Sequence, residues 1–200
     1  LEEEVRSLDL NGADYIHIDI MDGHYVPNIT FGPNIVKSLR KVTSKILDVH
    51  LMIKPVKKYI YEFVEAGSDI ITFHPEADDN PEEIIKMISD AEIKAGIAIH
   101  PKVNIVDIDH LFSKVQQIIV MTVTPGFGGQ KFMDDQVQKI KDLDEIRKNN
   151  NYNYEIAVDG GVNNENAKIC KDNGADVLAV GSYLLSQNQN NYSKIINSFR

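Results

Sequence analysis

A single cysteine, Cys170, stands among 200 residues, so no internal disulfide can brace the fold, and the chain suits a reducing compartment. It falls in a segment of helical character and reads as a packing residue. Long apolar runs are missing as well: nothing approaches the roughly 18 consecutive apolar residues of a membrane span. No basic leader precedes an apolar segment, and the expected location is cytoplasmic. Lysine and arginine number 21 against 30 acidic residues, and the net charge of −9 argues against a nucleic-acid surface. An anionic ligand therefore gains little from the overall field and has to be held locally, by backbone N–H groups or a few cations. Finally, no Gly-x-Gly-x-x-Gly follows an apolar run and opens a helix, which disfavours a dinucleotide-binding sheet. Asn28-Ile29-Thr30 matches a glycosylation sequon, but without a secretory signal it reads as chance.

What is present is a regular alternation. Length and composition, with 42% hydrophobic and 26% charged residues, suit one soluble domain over 1–200. Short runs rich in Ile and Val recur at 15–20, 46–52, 70–73, 97–99, 118–123, 154–158 and 177–180. Such runs are how strands buried on both faces of a parallel sheet read. Between them, 33–40, 56–66, 81–93, 105–112, 134–148, 164–172 and 191–199 have helical character, and Pro33 and Pro81 each open one.

One junction repeats. Asn11-Gly12-Ala13-Asp14, Ala66-Gly67-Ser68-Asp69 and Asn173-Gly174-Ala175-Asp176 each precede an apolar run, and Ala95-Gly96 is a weaker copy. Each glycine can take the left-handed conformation that ends a helix. The expected fold is α/β, a (β/α)8 TIM barrel. Residues 1–11 already look like the end of a helix with no strand before it. Seven strands around a barrel would leave two unpaired edges, so an eighth, N-terminal strand is expected that this sequence does not contain.

Barrel active sites lie at the carboxyl ends of the strands. His17 and Asp19 share one face of the first strand, since side chains alternate. His50 lies in the second run, and Asp159 ends the run 154–158. A lone histidine in an apolar strand is commonly a hydrogen-bonded core residue, and a lone aspartate at a strand end is commonly a cap. Two buried carboxylates together are costly unless a cation pairs them. Two histidines with two carboxylates suit one divalent ion: zinc, ferrous iron or manganese. The second ingredient is glycine. Thr124-Pro125-Gly126-Phe127-Gly128-Gly129-Gln130, Gly160-Gly161 and Gly181-Ser182 follow three successive late strands, where such barrels build phosphate sites.

Four stretches carry a resemblance. They are 17–28 (HIDIMDGHYVPN), 48–52 (DVHLM), 121–132 (MTVTPGFGGQKF) and 158–161 (VDGG). In this order the sequence resembles the ribulose-phosphate 3-epimerase family, also called pentose-5-phosphate 3-epimerases. The resemblance implies that His17, Asp19, His50 and Asp159 hold a divalent metal and that Asp19 and Asp159 are the acid/base pair. It implies that Gly126, Phe127, Gly128, Gly129, Gly160, Gly161, Gly181 and Ser182, with His50, contact a small phosphorylated sugar. Met21, Met52 and Met121 resemble the methionines lining the site, though from the residues alone they read as core. The implied reaction is epimerisation at C3 between D-ribulose 5-phosphate and D-xylulose 5-phosphate, and the implied assembly is a homo-oligomer. Two departures stand out: the family's first strand, with a substrate-contacting serine, is absent, and His100-Pro101-Lys102 falls where the family varies, so His100 receives no role. Residues 22–32 are expected to cover the site. The competing readings are an epimerase of a related ketose phosphate and a non-catalytic barrel that senses metal or sugar phosphate. A lyase would want a lysine at a strand end, and only Lys54 is placed for that.

Overall fold

The Ile- and Val-rich runs form seven strands in a computed structural model that describes all 200 residues. They are β1 (Tyr15–Met21), β2 (Ile46–Met52), β3 (Ile70–Phe73), β4 (Lys94–Ile99), β5 (Gln117–Met121), β6 (Glu155–Asp159) and β7 (Val177–Ala179). All neighbours pair in parallel, in the order β1 to β7. The helices are α1 (Glu2–Leu10), α2 (Pro33–Arg40), α3 (Ile60–Glu65), α4 (Pro81–Asp90), α5 (Val137–Asn150), α6 (Ala167–Asp172), α7 (Ser182–Leu185) and α8 (Tyr192–Ser198). The result is a nearly closed (β/α)8-type barrel. β7 does not pair with β1, so these two are its edges.

Local chemistry explains the helix starts. Pro81 occupies the first turn of α4, the Asn80 side chain accepts from the Glu83 N–H at 3.3 Å, and Ile84, Ile85 and Ile88 face inward. The expected helix over 105–112 differs: it is two 3-10 segments, Ile105–Asp107 and Asp109–Lys114. With three residues per turn, Ile105, Ile108 and Leu111 fall on one face, and that spacing puts Ile108 and Leu111 into the core.

The repeated junction has a physical basis. Gly12, Gly67 and Gly174 have φ of 94°, 94° and 108°, which only glycine adopts without strain. The aspartate two residues later is then aimed back along the preceding strand. Asp69 Oδ2 accepts from the Leu47 N–H and from Arg40, at 2.8 and 2.7 Å. Asp176 repeats this with the Ile156 N–H and Arg147, and Asp14 pairs with Arg200.

Strand alternation separates two cores. Ile16, Ile18, Ile20, Val49, Leu51, Ile71, Phe73, Ile97, Ile99, Ile118, Val120, Ile156 and Val158 join the large outer cluster under the helices. The alternate residues point into the barrel. Ala98, Ile119, Met121, Val123 and Ala157 form a small apolar cluster there. On the β1–β3 side the same positions carry His17, Asp19, Asp48, His50 and Thr72, so the barrel interior is polar on one side.

Candidate active site

Parallel register brings the polar residues to one level. Asp19 is the Cα partner of His50, His17 of Asp48, and Met121 of Asp159. One ligand atom from each of His17, Asp19, His50 and Asp159 lies within 4.8 Å of all the others. His50 Nδ1 is 3.1 Å from Asp19 Oδ1 and 3.6 Å from Asp159 Oδ2. His17 Nε2 is 3.3 and 3.9 Å from the same two oxygens. His50 is fully buried, while the aspartates retain some solvent contact.

Each histidine is held from behind. His17 Nδ1 lies 2.8 Å from Asp48 Oδ2, and an ionised carboxylate accepts only, so that nitrogen carries the hydrogen. Its Nε2 is buried without a hydrogen-bond partner and points toward Asp19 and Asp159. An orphaned imidazole nitrogen facing two carboxylates fits a divalent ion. The charges already lean on one another. Burial opposes protonation of His17, but Asp48 and Asp19 outweigh it and hold its pKa well above 6.5. His50 is raised likewise, against its burial, by Asp159 and Asp19. Burial raises Asp19, yet the neighbouring imidazoles of His17 and His50 outweigh it and hold it well below the usual carboxylate range.

Above these groups lies a cleft lined by Asp19, Asp159, the three methionines Met21, Met52 and Met121, Gly126 to Gly129, Gly160, Gly161, Gly181 and Ser182. Every expected cradle residue except His50 thus lies on one wall system, and His17 and His50 sit beneath its floor. None of the backbone N–H groups of Gly126, Phe127, Gly128, Gly129, Gly160, Gly161, Gly181 or Ser182 donates a hydrogen bond within the protein. Two of the glycines are demanded by the fold. A Cβ at Gly160 (φ 122°) would stand 2.5 Å from Val123, and one at Gly161 (φ 65°) 2.7 Å from the Phe132 nitrogen. Gly181 is different: its φ is −91°, and a Cβ there meets nothing within 4 Å. Beyond its chain neighbours nothing packs where a side chain at 181 would go, and the residue lines the cleft.

Residues 22–32 pack beside the glycine-rich loop of this cleft. Asp22 accepts from the His24, Tyr25 and Lys54 N–H groups, and Thr30 Oγ1 donates to the Asp19 carbonyl at 2.6 Å. The Asn28 side chain donates to the Gly126 carbonyl at 2.8 Å, tying the cover to the glycine-rich loop. A second hollow, on the β3–β5 side between Tyr25, Glu76, His100 and Lys102, contains none of the four clustered ligands.

The sequence reading overlooked His74. It directly follows β3, two residues after the inward-facing Thr72, and alternation alone points it into the barrel. It is fully buried, with Nε2 at 3.0 Å from His50 Nε2, and burial lowers its pKa to about 4. Asp48 was quoted for its motif without a role, and it is the partner that holds His17.

A histidine–carboxylate cluster under a glycine-lined cleft, at the carboxyl ends of parallel barrel strands, defines a TIM-barrel enzyme. The chain belongs to the ribulose-phosphate 3 epimerase family, whose model matches residues 1–185, and with it to the isomerase class. Among its relatives, ribulose-phosphate 3-epimerase of Bacillus subtilis is 43% identical over 188 residues, covering 94% of this chain and 87% of the relative. That of Escherichia coli K12 is 39% identical over 202 residues, covering 100% and 88%. In fold, the chain is similar to 3-hexulose-6-phosphate synthase of Salmonella typhimurium, with a TM-score of 0.72, 17% identity, and 99% and 93% of the two chains covered. The 3-keto-L-gulonate-6-phosphate decarboxylase of Vibrio cholerae gives a TM-score of 0.72 at 15% identity, covering 100% and 89%.

Proposed function

We propose that this chain interconverts D-ribulose 5-phosphate and D-xylulose 5-phosphate by moving the proton on C3, with Asp19 and Asp159 as the two acid/base groups. The observation that carries this reading is the convergence of two aspartates, from β1 and β6, with two histidines at one point beside a wall of unpaired backbone N–H groups. A divalent ion held by His17, Asp19, His50 and Asp159 would supply the positive charge that makes a C3 hydrogen beside a ketone acidic enough for a carboxylate to take.

Epimerisation requires removal of the proton from one face and its return to the other. A single base tends to restore the starting epimer. Asp19 and Asp159 come from strands well apart in the order, so they can address the two faces of a substrate lying between them. One is ionised while the other carries the proton, and the roles exchange with direction. The phosphate is held by the N–H groups of Gly126 to Gly129, Gly160, Gly161, Gly181 and Ser182, which offset the unhelpful net charge of −9. Met21, Met52 and Met121 give the reacting carbons a dry wall. Residues 22–32, tied down by Asn28 and Thr30, limit water entry to an intermediate that would otherwise lose phosphate.

The test is proton NMR of D-ribulose 5-phosphate with the protein in D₂O, before and after chelation. We expect loss of the C3 proton signal and growth of xylulose 5-phosphate, abolished by chelator and restored by a divalent ion. Asp19→Asn and Asp159→Asn should each cut turnover by about 10³-fold, within the 10²–10⁴ typical of one acid/base group, while still binding the phosphosugar. Exchange at the full rate in either variant would end the two-aspartate mechanism.

A further inference from the structure

His50 touches the two aspartates through one ring nitrogen and His74 through the other. Its Nδ1 faces Asp19 and Asp159, and its Nε2 lies 3.0 Å from His74 Nε2. Two imidazole nitrogens at that distance share one hydrogen, so one ring donates and the other accepts. Which one donates decides whether His50 keeps a lone pair on the side where it is needed.

The answer lies on the far side of His74. Its Nδ1 is buried, has no hydrogen-bond partner, and stands 3.5 Å from Glu76 Oε1. A carboxylate offers only lone pairs, so it favours a hydrogen on the nitrogen facing it. Glu76 is itself fixed, because the Tyr25 hydroxyl donates to Oε1 at 2.8 Å. The Tyr25 ring also packs on His74, with centroids 4.8 Å apart. With the His74 hydrogen on Nδ1, its Nε2 is left as an acceptor. His50 Nε2 is then the donor, and His50 Nδ1 is free to present a lone pair between Asp19 and Asp159. Asp48 does the same for His17 from the other side.

We propose that His74 is a positioning residue: it accepts the His50 Nε2 hydrogen and so holds the His50 Nδ1 lone pair toward the two aspartates, with Glu76 and Tyr25 fixing the His74 tautomer that permits this. The inference rests on the reading of His17, Asp19, His50 and Asp159 as an ion-holding set. It adds that the orientation of this set is maintained from the cover segment through Tyr25, Glu76 and His74. Partners of this kind behind a ligating histidine are worth roughly 10–100-fold in metal affinity.

Nitrogen-15 NMR of histidine-labelled protein loaded with Zn²⁺ tests the tautomers without any mutation. We expect hydrogens on His50 Nε2 and His74 Nδ1, and none on His74 Nε2; a hydrogen on His74 Nε2 overturns the proposal. Zn²⁺ affinity, measured by chelator competition without substrate, supplies the second reading. His74→Phe cannot accept a hydrogen bond and should weaken Zn²⁺ by about 10–100-fold. His74→Gln places a carbonyl oxygen near the lost Nε2 and should recover most of that loss. His50→Ala separates the two layers of the argument. If His50→Ala loses Zn²⁺ and His74→Phe binds it as the unaltered chain does, the positioning role fails alone. If His50→Ala also binds Zn²⁺ unchanged, the ion-holding set itself is wrong and the proposal falls with it. Should His74→Phe fail to fold, the NMR result on the unaltered chain decides.

Discussion

At the scale of single residues, identity of side chain and cause of that identity separate cleanly among the glycines. Gly161 holds a positive φ with backbone atoms against the place where a Cβ would go, whereas a Cβ at Gly181 would meet nothing within 4 Å beyond its chain neighbours. Gly161→Ala should therefore cost about 1–3 kcal/mol of stability, read as a lowered denaturation midpoint at unchanged slope. Gly181→Ala should raise the KM for ribulose 5-phosphate by about tenfold, equivalent to about 1.4 kcal/mol of binding. An unchanged KM would remove Gly181 from the phosphate cradle. His17, Asp19, His50 and Asp159 were legible in the sequence because each interrupts an apolar run with a group that is costly to bury alone. His74 escaped because its run ends just before it, and Asp48 was given no role although it shares a strand face with His50. Their roles depend on which ring nitrogen meets which oxygen, and that is a matter of tertiary contact.

Elements place those residues, and one loop does so in a pH-dependent way. Burial raises the Asp22 carboxyl, but the N–H groups of Lys54, His24 and Tyr25 outweigh it and hold the pKa below 3.8. A carboxyl whose folded pKa is depressed binds fewer protons folded than unfolded. Its contribution is complete above about pH 4 and is lost as pH falls through the lowered value. Amide hydrogen exchange at His24, Tyr25 and Lys54 should therefore stay protected relative to intrinsic rates down to about pH 4 and lose protection below it. Asp22→Asn, which lacks one acceptor and does not titrate, should show reduced protection at all pH values. The cover over 22–32 was expected from its position alone. That this segment is tied to the Gly126 carbonyl by Asn28, the residue of the sequon, emerges only from the packed loops. The strand–helix order and the repeated glycine–aspartate junctions were readable because each is local: a left-handed φ, a proline in a first turn, a run of Ile and Val. The two 3-10 segments at 105–107 and 109–114 were not, since a short apolar pattern fits either helix geometry and burial of Ile108 and Leu111 chose the tighter one.

For the whole molecule, the four clustered side chains come from β1, β2 and β6, so whatever binds them joins distant parts of the chain. A divalent ion at 100 times its Kd should stabilise the fold by about 2.7 kcal/mol. For a chain of this size that corresponds to a Tm rise of about 5–11 °C. Calorimetry with and without chelator would show it, and His50→Ala should erase it; equal Tm values in the unaltered chain would argue against an ion in this set. The barrel's two edges, β1 and β7, carry no mutual pairing. The sequence by itself determined the fold class, the strand order and the residues able to do chemistry, because these follow from periodicity, turn stereochemistry and the cost of burying charge. Only the tertiary structure decided that His17, Asp19, His50 and Asp159 meet within 4.8 Å, that the space beside Gly181 is open, and that His74 stands behind His50. Those facts depend on parallel register and barrel curvature, which bring residues far apart in the chain to one level, and no local pattern encodes that distance.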